Sequence, residues 1–61
     1  MFISVMKDRE SGSFLWEVMN GAYERVDHGF EPTEERARER AEKAKESYLY
    51  WLRYYRYRSS F

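Results

Sequence analysis

The stretch Glu31-Pro32-Thr33-Glu34-Glu35-Arg36-Ala37-Arg38-Glu39-Arg40-Ala41-Glu42-Lys43-Ala44-Lys45-Glu46-Ser47-Tyr48-Leu49-Tyr50-Trp51-Leu52-Arg53-Tyr54-Tyr55-Arg56-Tyr57-Arg58 sets the architecture of this chain. Thr33 is a natural N-cap, because its hydroxyl can accept a hydrogen bond from a first-turn N–H that has no partner within the helix. Glu34 and Glu35 follow at the positive end of the helix dipole. No Gly or Pro interrupts the next two dozen residues, so one helix is expected over 33–57, with 59–61 as its frayed end. At about 100° per residue, Ala37, Ala41, Ala44, Tyr48, Trp51, Leu52 and Tyr55 fall on one stripe. That stripe is expected to face the rest of the protein. Its first half is all Ala and permits close backbone approach, whereas its second half is bulky.

Before the helix, residues 2–8 and 14–20 are rich in β-branched and aromatic types, and the polar, Gly-containing connector 9–13 joins them as a hairpin. Asn20-Gly21 is a strong turn signal, and 23–30 reads as a third strand ending at Gly29. The expected fold is therefore α+β: a three-stranded antiparallel sheet over 2–30 packed on one long C-terminal helix, in the order β-β-β-α, as a single domain spanning 1–61. A two-residue turn at Asn20-Gly21 would oppose Glu17 to Glu24, which is unfavourable. One further residue opposes Glu17 to Arg25 and Trp16 to Val26, so a bulge or three-residue loop is expected around Asn20-Gly21-Ala22. Ile3, Val5, Phe14, Trp16, Val18 and Val26 would then be buried. Leu15, Glu17, Met19, Tyr23 and Arg25 would face outward.

Sixty-one residues bury only about 60% of the surface of their unfolded chain, and domains of this size usually need disulfides, metals or association for stability. The chain has no Cys and one His, which leaves association with a second copy or another protein as the expected remedy. Eleven basic residues balance eleven acidic ones, so no net field draws the molecule to nucleic acid or an anionic membrane. No apolar run approaches the ~20 residues that cross a bilayer. The short opening Met1-Phe2-Ile3-Ser4-Val5-Met6 lacks the basic lead of a signal peptide. The expected location is the cytoplasm, with no membrane partner.

Catalysis needs a nucleophile beside a base, a metal cluster or paired carboxylates in a cleft. His28 is the lone candidate base and has no ligand or nucleophile spacing, and Gly12, Gly21 and Gly29 match no phosphate-binding loop. No enzyme, cofactor or metal site is expected. Two surface features carry more information. Glu35, Glu39, Glu42 and Glu46 form an acidic ridge opposite the Ala stripe, flanked by bases and supported by pairs such as Glu34 with Arg38 and Glu39 with Lys43. Beyond it, Tyr50, Tyr54 and Tyr57 share a second aromatic side of the helix, interleaved with Arg53, Arg56 and Arg58. Tyr and Arg are enriched at binding hot spots, which makes Tyr50, Arg53, Tyr54, Arg56 and Tyr57 the expected partner-binding set. The partner is a protein, with a second copy as one candidate; the rival is nucleic acid held by Arg charge and aromatic stacking.

Three strands followed by Gly29-Phe30-Glu31-Pro32-Thr33 and an Ala-bearing helix from Ala37 resemble the small arm-type DNA-binding domain of phage tyrosine recombinases over residues 2–48. That resemblance implies a sheet laid in a DNA groove. Here the sheet region offers Lys7, Arg9 and Arg25 against Asp8, Glu10, Glu17, Glu24 and Asp27, a balance unlike a DNA-binding face. In size and in the absence of catalytic groups the chain is also similar to phage accessory proteins of the anti-CRISPR type. That likeness implies inhibition of a host machine by occupying its surface.

Overall fold

The computed structural model describes residues 1–59, with side chains through Tyr54. Three strands, β1 (Phe2–Lys7), β2 (Phe14–Met19) and β3 (Arg25–Glu31), precede one helix, α1 (Glu34–Ser59). The sheet is antiparallel in the order β1-β2-β3, and α1 packs across one face of it. The expected α+β architecture is the one observed.

The loop between β1 and β2 is held by Asp8. Its backbone N–H donates to the Ser13 carbonyl at 2.8 Å, and its carboxylate accepts from the Glu10 N–H and the Ser11 hydroxyl. Gly12 supplies the left-handed residue this loop requires, at φ 74°. In the second hairpin the Tyr23 N–H donates to the Asn20 carbonyl, and the Asn20 N–H to the Glu24 carbonyl, enclosing a three-residue loop of Gly21, Ala22 and Tyr23. The Asn20 side-chain oxygen also accepts from the N–H groups of Ala22 and Glu24. The residue with positive φ is Tyr23, at 62°, in the position such loops normally give to Gly.

Register differs from the expected pairing. Glu17 faces His28, Trp16 faces Gly29 and Met19 faces Arg25, with a bulge that leaves Val26 as the extra residue of β3. The loop and the bulge each add residues, so the pairing moves along the strand; the faces expected for β1, β2, Arg25 and Val26 survive, while beyond the bulge the alternation is inverted and His28 and Phe30 face outward. Arg25 still reaches Glu17, diagonally, at 3.3 Å. Gly29 lies inside β3 and does not end it. A Cβ there would stand 2.8 Å from Cε2, Cζ2 and Nε1 of the Trp16 indole, so the ring occupies the space a side chain would need.

The core is small. Trp16, Val18, Ala37 and Ala41 are buried, and Met1, Ile3, Val5, Phe14, Val26 and Ala44 pack around them. Ala37 and Ala41 are one helical turn apart, and their small side chains bring α1 down onto β2. Thr33 caps the helix as expected: its hydroxyl accepts from the Arg36 N–H at 3.2 Å and its carbonyl from the Ala37 N–H at 3.0 Å.

Candidate functional site

Direction and length of α1 determine what it exposes. Arg40 pairs with Glu31, the last residue of β3, at 3.6 Å. One to three turns later, Ala44, Tyr48 and Trp51 border a groove of about 360 Å³ whose sheet side is Trp16, Val26 and Asp27, so the helix runs antiparallel to β3, back toward the start of that strand, and is seated mainly over β1 and β2. Twenty-six helical residues extend about 39 Å at 1.5 Å each. A strand of six or seven residues covers only about 20–23 Å. The molecule is accordingly long, 48 × 20 × 13 Å, and α1 leaves the sheet at the end carrying Phe2, Met19 and the β2–β3 loop.

This overhang corrects one expectation and supports another. Trp51 and Leu52 continue the inward stripe in phase, but are 53% and 47% exposed, because the sheet runs out beneath this turn and Trp51 stands at the open groove beside Val26 and Asp27; Tyr48 is the last half-buried member of the stripe. Tyr50, Arg53 and Tyr54 of the expected binding set are exposed, Tyr50 at 66%. Their rings are organised around Trp51. Tyr50 and Tyr54 each meet it edge-to-face, with centroids 5.8 and 5.7 Å away, a favourable arrangement for aromatic pairs. The side chains of Arg56 and Tyr57, the rest of that set, and of Tyr55 lie outside the described residues.

On the acidic ridge, Glu35, Glu39, Glu42 and Glu46 are all exposed, with Arg38 and Lys43 among them. Arg38 pairs with Glu34 at 3.7 Å as expected; among the described residues no Glu39–Lys43 pair forms. Solvated charges of both signs alternate there, and such exposed pairs contribute little.

Leu15, Glu17, Met19 and Arg25 lie on the face of the sheet away from α1, as expected, although the expectation from sequence did not extend to a broad apolar surface there. Cross-strand partners divide it into three rows: Phe2, Met19 and Arg25; Ser4, Glu17 and His28; Met6, Leu15 and Phe30. Phe2, Met6 and Phe30 are exposed, and Tyr23, 77% exposed, sets its ring edge-on to Phe2 with centroids 5.6 Å apart. One apolar row, and one that is apolar except for Arg25, therefore flank the polar row, on the face opposite the core that α1 covers. Alternation of Phe2, Ser4 and Met6 with Ile3 and Val5 was the available signal; Phe30 was hidden by ending β3 at Gly29. His28 stands exposed in the polar row, and among the described residues no group of three His, Cys, Asp or Glu side chains could hold a metal. No described helix is long and apolar enough to cross a membrane.

Compared with protein families, curated proteins and solved structures, the chain shows no match.

Proposed function

We propose that this chain is a non-enzymatic protein-binding module that docks through the outward aromatic side of the last turns of α1. The supporting observation is Tyr50, 66% exposed on a helix that has already passed the edge of its own sheet. Tyr54 and Arg53 extend the same surface in space, and Arg56 and Tyr57 extend it in sequence. Large rings with a polar tip tolerate water in the free state and gain packing and hydrogen bonds on docking. A module of this kind acts by occlusion, which is how an accessory inhibitor of a host machine would work.

The test is Tyr50→Ser with Tyr54→Ser. Both side chains are exposed and their ring contacts are with Trp51 of the same helix, so the fold should be kept with only a modest drop in melting temperature, while affinity for the protein partner captured by the wild-type chain falls at least about tenfold, the scale of hot-spot losses. Equal affinity of wild type and double variant refutes the reading. Exposed Arg53 between the two tyrosines favours a second reading, nucleic-acid binding with bases stacked on the rings. It requires affinity that falls steeply with salt; no mobility shift with single- or double-stranded DNA at low salt removes it.

A further inference from the structure

The inward stripe of α1 runs out of sheet before it runs out of apolar residues. Trp51 and Leu52 lie on the same side of the helix as buried Ala37 and Ala41, yet stand half exposed. Trp51 borders the open groove whose sheet side includes Val26 and Asp27, near the start of β3, and Leu52 follows it where the sheet ends. At that same end, on the other face of the sheet, Phe2 and Tyr23 form an exposed aromatic pair beside half-buried Met19 and the exposed Arg25, with Tyr23 held at a positive φ that favours Gly. Non-Gly residues in this conformation are strained and are found where surrounding interactions hold them.

From these features we infer that two copies of the chain form a reciprocal dimer, in which the helix of each, after covering its own sheet, continues over the uncovered face of the other's. A two-fold axis lying in the plane of the sheets, just beyond the Phe2 end, generates this arrangement. It places the two sheets end to end in one layer with opposite faces up. The first helix then lies above both sheets and the second below both. Trp51 and Leu52 of each copy meet the Tyr23 loop of the other, the helix turns that follow pass over its Phe2 and Met19, and the contact is made twice, as a two-fold interface requires. The result is a helix–sheet–helix sandwich, in which each apolar face has the cover that a layered fold needs.

Length and area both fit a second copy. Leu49 to Ser59 adds about 16 Å of helix at 1.5 Å per residue, enough to cross the loop and reach the first row of the neighbouring sheet. With about 200 Å² for each large side chain and exposures of 53%, 47%, 42% and 77% for Trp51, Leu52, Phe2 and Tyr23, complete burial in both contacts removes about 900 Å² before Met19 is added, close to the roughly 1,000 Å² at which specific interfaces begin. The formal net charge is +0, so two copies approach without long-range repulsion. The rings of Tyr50 and Tyr54 touch Trp51 of the same copy, so the dimer contact adjoins the proposed partner surface; Leu52, Tyr23 and Phe2 variants leave Tyr50 and Tyr54 in place, so the two readings can fail separately.

Sedimentation of the wild-type chain should show a monomer–dimer equilibrium with a dissociation constant in roughly the micromolar range expected for so small an interface. Leu52→Ser and Tyr23→Gly should each raise that constant about thirtyfold, as loss of a hot-spot side chain does. Tyr23→Gly keeps the loop, since Gly prefers its backbone geometry, and Phe2→Ser serves as a second sheet-side variant. The decisive measurement mixes Leu52→Ser with Tyr23→Gly. A mixed dimer has one contact built from two intact halves, so dimer mass should return when the two weakened variants are combined. A wild-type monomer at about 1 mM, well above the micromolar constant expected for this area, overturns the inference, and partner loss in the Tyr50/Tyr54 variant would still support the docking reading. A dimer indifferent to Tyr23→Gly and Phe2→Ser, or a mixture that stays monomeric, overturns it too, and points to helix–helix or sheet–sheet association.

Discussion

Gly29→Ala adds one methyl group to a molecule whose core centres on four buried residues, and the structure fixes where that methyl goes. It would lie 2.8 Å from three atoms of the Trp16 indole, where carbon atoms normally rest at about 3.5–4.0 Å. Relief needs a displacement of more than about half an ångström at that normal spacing. Ala37, Ala41 and Val18 pack against Trp16, so the ring can give only toward the groove it shares with Ala44 and Tyr48, and leaving its seat costs those contacts. Overpacking of this kind costs about 1–3 kcal/mol, while replacing Gly in a strand regains about 0.5–1 kcal/mol of backbone entropy. The net loss is about 1–2 kcal/mol. That is a large share of the 3–5 kcal/mol a core of this size supplies, and at about 4–8 °C per kcal/mol it lowers the melting temperature by roughly 5–15 °C.

Circular dichroism melts at one fixed protein concentration measure it, with the other two glycines as internal controls. A Cβ on Gly21 meets nothing within 4 Å and its φ is not positive, so Gly21→Ala should be neutral or stabilising by up to about 1 kcal/mol through the unfolded state. Gly12 is equally open but sits at φ 74°, so Gly12→Ala should cost about 1–2 kcal/mol from strain alone. If Gly29→Ala is as stable as wild type or more so while Gly12→Ala is not, the indole does not occupy the space beside β3 and the reasoning is refuted.

Thr33→Ala removes the hydroxyl that accepts from the Arg36 N–H and should destabilise by about 1 kcal/mol; denaturant midpoints compared with Thr33→Ser, which should restore most of the loss, check it. Ala41→Leu forces a larger side chain between α1 and β2 where none of Ala41 is exposed, with an expected cost of about 1–3 kcal/mol and a drop in urea midpoint that Ala41→Gly, which leaves the helix seat intact, would not reproduce in mechanism: its smaller loss should follow helix propensity, about 1 kcal/mol.

Local chemistry is why so much of the fold was legible. Hydroxyl at Thr33, carboxylates at Glu34 and Glu35 and an uninterrupted run of helix formers act within one turn of each other, so the helix and its start could be read without knowing what it packs against. Side-chain alternation acts over two residues, so the burial of Ile3, Val5, Phe14, Trp16, Val18 and Val26 was readable as well. Register was less so, because a bulge at Val26 and a loop closed by Tyr23 in a Gly-like conformation are selected by the fit of one strand on another. The spacing of Tyr50 and Tyr54 on an outward side follows from helical period alone. That Trp51 and Leu52 on the other side are exposed does not, since period says which residues share a stripe and says nothing of where the opposing sheet stops.

Helical phase, strand alternation and the cap are therefore properties of neighbours along the chain, and the amino-acid order contains them in full. The end of the sheet beneath α1, the seat of the Trp16 ring in place of a Gly29 side chain, and the uncovered cluster of Phe2, Met19 and Tyr23 arise between residues far apart in the chain. They depend on distances across the fold, such as a 26-residue helix laid on strands of six or seven, and those distances exist only once the elements have packed.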